Sequence, residues 1–387
     1  MRLFRFTVLF ILLLATHAAL AQTPRDADDF YNRGLERQSQ GDPDGALADY
    51  DEAIKRDPHL HDAYNNRANI RLQKGDTDGA LADYTKAIET KPSDFMGYYN
   101  RGVVYLNASK YDEAVADFDA AIRLNPRLSM LYNNRGNAKE AKNDLDGALA
   151  DYNRALEIEP KSAYALNNRG SLYQRRGQID AALADLSLAV EVSPKFAEAF
   201  YNRGGARRSK GDDRGAVEDY SKAIELTPDN PDIYFNRGIT YQSLGDIDKA
   251  LADFDRAIVL NPSASDDYTQ RGLLRVAKKD TTGALADFDK AIELNAADAL
   301  AYFNRGMLRE GQGKRDAAIT DYTQAIAINP SLATAYANRG ILRLQKGDEK
   351  LAEQDMAQAI RLDPSLKASL DTYLRKMKEY NAKIRGQ

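Results

Sequence analysis

The sequence predicts an all-α array of stacked helix–turn–helix repeats closed by one terminal helix, and three observations carry that reading. The first is a triplet that returns every 34 residues: Asn32 Arg33 Gly34, then Asn66 Arg67 Ala68, Asn100 Arg101 Gly102, Asn134 Arg135 Gly136, Asn168 Arg169 Gly170, Asn202 Arg203 Gly204, Asn236 Arg237 Gly238, Gln270 Arg271 Gly272, Asn304 Arg305 Gly306 and Asn338 Arg339 Gly340. No insertion or deletion interrupts the ten copies, and a fixed period of this kind marks a stacked array. The second is a proline column, Pro58, Pro92, Pro126, Pro160, Pro194, Pro228, Pro262, Pro330 and Pro364, broken by Ala296. The third is a pair of aromatic columns, one through Phe30, Tyr64 and Tyr98 and one through Tyr50, Tyr84 and Phe118, each beside small residues.

The elements follow in order. Arg2 and Arg5 precede an apolar run from Phe6 to Ala15, and Ala19 Leu20 Ala21 supplies small residues at signal-peptidase spacing. Residues 1–21 therefore read as a cleavable secretory signal, and the expected location is periplasmic or secreted. The run is shorter than the roughly 20 apolar residues of a spanning helix, so membrane attachment is expected only if the segment is retained. Residues 22–26 form a short polar lead.

In the first repeat, Phe30, Gly34 and Arg37 recur at helical spacing, Gly41 Asp42 interrupts, and Ala46, Tyr50, Ala53 and Ile54 resume a 3.6-residue stripe. This predicts a helix, a turn and a second helix that ends before Asp57 Pro58, because proline lacks the amide donor and disfavours helical geometry in the residue before it. Gly75, Gly177, Gly211, Gly245, Gly313 and Gly347 suit a left-handed residue closing the first helix. Asp76, Asp144, Asp212, Asp246, Asp280 and Asp348 stand where a side-chain oxygen caps the second. The repeats run 27–60, 61–94, 95–128, 129–162, 163–196, 197–230, 231–264, 265–298, 299–332 and 333–366. After Pro364, Leu366, Leu370, Leu374, Met377 and Ile384 alternate with charged residues, which predicts an amphipathic capping helix over 367–387.

The pattern aromatic, x3, Gly/Ala, x11, Ala, x3, Tyr/Phe, x2, Ala, x4, Pro resembles the tetratricopeptide repeat (TPR) over residues 27–366. The resemblance implies a right-handed α-solenoid of about ten such repeats, with the first helices lining a concave groove. It also implies a protein-interaction scaffold. Where the family commonly has leucine before the small residue, this chain has arginine in every repeat. Aspartate is equally uniform beside the second aromatic column, at Asp49, Asp83, Asp117, Asp151, Asp185, Asp219, Asp253, Asp287, Asp321 and Asp355. The two columns predict an Arg/Asp ladder, typified by Arg33 and Asp49, Arg169 and Asp185, and Arg271 and Asp287, pairing within a repeat or to the next.

Composition narrows the function. With 43% hydrophobic and 29% charged residues the chain is globular, and its formal charge of −4 offers no basic stripe for nucleic acid. Zero cysteines exclude disulfides, thiolate nucleophiles and cysteine-bound metals. His59 and His61 lie near Asp57 and Asp62 in what reads as a linker with no further histidine or cysteine, so no metal or other cofactor is expected. The repeats leave no room for a catalytic domain, and no enzyme activity is expected.

If the resemblance holds, the groove is lined by the columns beginning at Asp28, Tyr31, Leu35 and Gln38, which vary between repeats. They offer an apolar group at Met96, Tyr99, Val103 and Leu106, then a polar stretch with Asn133, Asn137 and Asn167. A longer apolar group follows at Phe235, Ile239, Leu273, Val276, Phe303, Met307, Ile341 and Leu344. A large apolar patch in a groove marks a contact surface, so the expected partner is an extended or helical segment of another cell-envelope protein.

Overall fold

The structure is a computed structural model that describes residues 26–385. The expected signal segment, 1–21, lies outside the described residues. Every regular element among the described residues is helical, and none is long and apolar enough to cross a membrane. The chain divides into two compact bodies, Met1–Pro160 and Lys161–Gln387.

The N-terminal body holds four repeats: α1 (Ala27–Ser39) and α2 (Pro43–Arg56), α3 (His61–Gln73) and α4 (Thr77–Thr90), α5 (Phe95–Asn107) and α6 (Tyr111–Leu124), α7 (Ser129–Ala141) and α8 (Leu145–Ile158). The C-terminal body holds six: α9 (Ala163–Arg175) and α10 (Ile179–Val192), α11 (Ala197–Ser209) and α12 (Asp213–Leu226), α13 (Pro231–Ser243) and α14 (Ile247–Leu260), α15 (Ser265–Ala277) and α16 (Thr281–Leu294), α17 (Ala299–Gly311) and α18 (Arg315–Ile328), α19 (Ala333–Gln345) and α20 (Glu349–Leu362). A single turn at Pro364–Leu366 leads into α21 (Lys367–Arg385). In each body a helix packs first on its partner and then on the helix that follows, while first helices of adjoining repeats also touch, as α5 on α7 and α11 on α13. The first helices thus form one layer and the second helices another.

The turns show why the chain reverses where it does. Gly41, with φ 78°, closes α1, and the Asp42 amide donates to the Arg37 carbonyl at 2.9 Å, satisfying acceptors that the helix end leaves open. The same left-handed conformation is held without glycine by Ser109, Asn143 and Lys279. Asp42, Asp76, Asp144, Asp212, Asp246 and Asp280 accept from the amide three residues on, capping the second helices. Asp348 stands at the same position but makes no such bond.

The core is large rings set into small residues. Ala46, Tyr50 and Ala53 are fully buried, and a Cβ on Gly34 would approach Tyr50 Cε1 to 2.6 Å, so the glycine is what admits the ring. Burying one such ring contributes about 1.5–3 kcal/mol, and the motif recurs at Phe118, Tyr152, Tyr220, Phe254, Phe288 and Tyr322. At the C-terminal end, Leu370, Tyr373, Leu374 and Met377 of α21 close over Ala337, Leu344 and Met356.

Arginine and aspartate form a ladder within that core. In all ten repeats the arginine Nε (2.7–3.2 Å) and Nη2 (2.5–2.8 Å) donate to the two oxygens of the aspartate of the same repeat. The remaining guanidinium nitrogen crosses to the preceding repeat's second helix: Arg67, Arg135, Arg271 and Arg305 reach Asp51, Asp119, Asp255 and Asp289, while Arg101, Arg237 and Arg339 reach the hydroxyls of Thr85, Ser221 and Thr323. In seven repeats a second cation one turn on, such as Arg71 or Lys139, also meets the aspartate. In the other three that position is Tyr105, Tyr173 or Tyr241, whose ring lies 5.7–5.8 Å from the ladder guanidinium. A buried, bidentate carboxylate–guanidinium fork is the strong form of a charged hydrogen bond.

On the turns, a second set of ion pairs clasps adjoining repeats. Lys74 pairs with Asp44, Lys142 with Asp112, Lys210 with Asp180, Lys278 with Asp248 and Lys346 with Asp316.

Candidate functional site

The first-helix layer is the surface that varies most along the chain. In the N-terminal body Met96 is 40% exposed at its edge, while Tyr99, Val103 and Leu106 lean against the core around Phe118 and are half-buried. The Tyr99 ring lies 6.2 Å from Phe118. Asn133 is buried, and Asn137 Oδ1 accepts from the Tyr152 hydroxyl at 2.8 Å. The N-terminal polar residues are therefore partly committed to the repeats themselves.

In the C-terminal body Asn167 is 1% exposed and fully used: Nδ2 donates to Glu198 Oε1 at 3.1 Å, and Oδ1 accepts from Asn202 Nδ2 at 2.9 Å. Gln174 and Arg208 carry the polar stretch onward, and the Arg208 charge counters the rise that burial imposes on the hydroxyls of Tyr201 and Tyr220. From α13 the face turns apolar. Phe235 and Ile239 are half-buried over Phe254, Leu273 and Val276 over Phe288, and Phe303 over Tyr322. Met307 is 42% exposed. Leu344 is 0% exposed, and Ile341 packs into the same cluster beneath α21, so the terminal helix removes both from the open face.

Two features of this layer went unread in the sequence. The asparagine of the repeated triplet is a link between repeats: Asn66, Asn134 and Asn236 donate to the hydroxyls of Tyr31, Tyr99 and Tyr201 one repeat back, at 2.9–3.1 Å. The second-helix tyrosines reach through to the same layer, Tyr50 donating to Gln38, Tyr84 to Asn69 and Tyr322 to Glu310. Burial pushes the Tyr50 and Tyr84 hydroxyls up to about 12, so they act as donors and do not titrate near neutrality. The spacing of these pairs, one repeat or half a repeat apart, was visible in the sequence, but the side-chain reach that joins them was not.

Chemically the face offers apolar anchors with fixed rings and neutral hydrogen-bonding groups, beside exposed carboxylates at Asp28, Asp62, Asp232 and Asp266. Models described as tetratricopeptide repeat match residues 31–95, 96–128, 135–217, 231–264 and 333–366, and one described as TPR repeat matches 204–245 and 311–347. No curated protein matches the chain. Among solved structures, a tetratricopeptide repeat protein from Parabacteroides merdae aligns at 19% identity, covering 64% of this chain and 98% of that one with a TM-score of 0.53. A chain of the APC/C hetero-tetramer Cut9-Hcn1 aligns at 17% identity, covering 91% of this chain and 76% of that one with a TM-score of 0.50. At these identities the likeness concerns the fold alone.

Proposed function

The chain is a tetratricopeptide repeat protein, and from that premise we propose that it is an exported, non-catalytic scaffold whose first-helix face holds an extended or helical segment of a partner protein in the cell envelope. The observation that carries this reading is the change along α9 to α17 from polar groups to half-buried apolar anchors, Phe235, Ile239, Leu273, Val276 and Phe303, with Met307 standing out from them. Rings already braced against a second helix lose little freedom when a partner covers them, and such anchors at helical spacing suit a docked helix or strand. Export rests on Arg2, Arg5 and the apolar run that follows them.

Capture of partners from an envelope fraction tests the binding face. Ile239→Ser with Phe303→Ser removes two anchors and abolishes capture with the helical circular dichroism retained. Met307→Lys, on an exposed side chain, weakens the same capture without touching the core. Capture unchanged by both variants sinks the proposal. An accessory subunit of an envelope enzyme or export complex is a further reading, and the main rival, a membrane-anchored assembly factor, draws on the same apolar run from Phe6 to Ala15. The mass of the exported protein separates the two, since cleavage after Ala21 removes that run.

A further inference from the structure

At the N-terminal end of α3, one group of side chains on the first-helix face has the composition and spacing of metal ligands. His61 is the first residue of α3 and not part of a linker, which corrects the reading of the sequence. Its Nε2 lies 3.2 Å from Asp62 Oδ1 and 3.7 Å from Asp94 Oδ2. Asp94 comes from the turn before α5, where its other oxygen accepts from the Met96 amide at 3.1 Å. It was invisible as a partner because the fold, not the local sequence, brings it to His61. The three donor atoms lie within 4.8 Å of one another. A tetrahedral ion with bonds of about 2.0–2.1 Å holds its donors about 3.4 Å apart, between the two separations seen here.

A second observation is independent of that cluster. Asn65 lies one turn after His61 on the same face of α3, is 7% exposed, and its Oδ1 has no hydrogen-bond partner. The eighth repeat offers the comparison. Thr269 occupies the Asn65 position of its own repeat and donates to Asp298 Oδ2 at 2.6 Å; Asp298 occupies the Asp94 position. In the second repeat the corresponding side chains are Asn65 and Asp94: one carboxylate oxygen accepts from the Met96 amide, while the Asn65 amide oxygen accepts nothing, and a cation held by both side chains would satisfy it. Lys91 Nζ, on an exposed stem, lies 3.1 Å from His61 Nε2.

We propose that His61, Asp62, Asp94 and Asn65 Oδ1 bind one divalent transition-metal ion of the Zn²⁺ class, with Lys91 swinging aside. One imidazole nitrogen with three oxygens suits first-row ions that accept nitrogen ligands, and disfavours Mg²⁺ and Ca²⁺, which take oxygen throughout. Because Asp94 caps α5, the ion would tie the start of α3 to the start of the third repeat's first helix.

The test is calorimetric titration of the full-length chain with Zn²⁺, paired with thermal denaturation in chelator and in Zn²⁺. One ion binds per chain and raises the melting temperature. His61→Ala and Asp94→Asn each weaken binding at least tenfold, the latter keeping a residue able to cap α5. Lys91→Met tightens binding by removing the competing ammonium, and exposed His59→Ala leaves it unchanged. Absence of binding, binding indifferent to His61→Ala, or binding lost equally with His59→Ala as an adventitious surface ion each overturn the site. So does Lys91→Met without any gain.

Discussion

At the scale of the residue, the ladder makes a graded prediction. Arg237 and Asp253 pair with Tyr241 in the place of a second cation, whereas Asp287 keeps Arg275 if Arg271 is lost. Arg237→Met leaves a buried carboxylate without a cation and costs roughly 3 to 5 kcal/mol. Arg271→Met costs less, and Arg237→Met combined with Asp253→Leu costs less than Arg237→Met alone. Chemical denaturation reads all three, and equal losses for the single and double changes would refute an energetically coupled pair. Asp267 supplies a pH-dependent case. It is buried in a column otherwise filled by residues such as Ala199, Ile233 and Ala301, and burial, with Asp266 and Asp232 adding to it and Arg271 opposing, pushes its carboxyl up to about 7. Because the folded state holds the proton more tightly than the unfolded chain, the stability from the protonated form is complete near pH 4 and is lost as pH rises through about 7. Asp267→Ala therefore melts higher than the parent at pH 8, and the difference shrinks toward pH 4. These residues also mark what the sequence made legible. The uniform arginine and aspartate columns were plain in the letters, but the third guanidinium bond to the neighbouring repeat depends on residues 51, 119, 255 and 289, which form no uniform column.

At the scale of the element, helix identity and boundaries were readable because most repeats carry their own stop signals, glycine after the first helix and proline after the second. Ser109, Asn143 and Lys279 hold the left-handed turn without glycine, and the prolines and aspartates around them were what revealed the boundary. Lys279, the long charged one of the three, is strained there. Lys279→Gly stabilises by roughly 0.5–1 kcal/mol and Gly75→Ala destabilises by a similar amount, as thermal melts should show. The terminal helix was readable from its apolar spacing, yet its effect on the face was not. That Leu344 belongs to the core follows from α21 lying over it, a contact that no feature of the tenth repeat announces. Truncation after residue 366 exposes Leu344 and Met356 and lowers the melting temperature of the C-terminal body, while residues 26–160 keep theirs.

At the scale of the whole molecule, the turn clasps carry a consequence for how such a protein can lengthen or shorten. Lys278 faces Asp248, but the repeat before that one carries Arg214 in the aspartate's place. Excising 231–264 would set Lys278 against Arg214, two cations at one turn, whereas excising 231–298 removes a clasped pair intact and leaves Lys346 with Asp316. Exposed pairs contribute only about 0–1 kcal/mol each, so both products fold. The single excision melts lower than the double one despite being longer, and adding salt narrows the gap. Which turn residues a cut brings together, and not only how many helices it removes, then decides how well a shortened array holds.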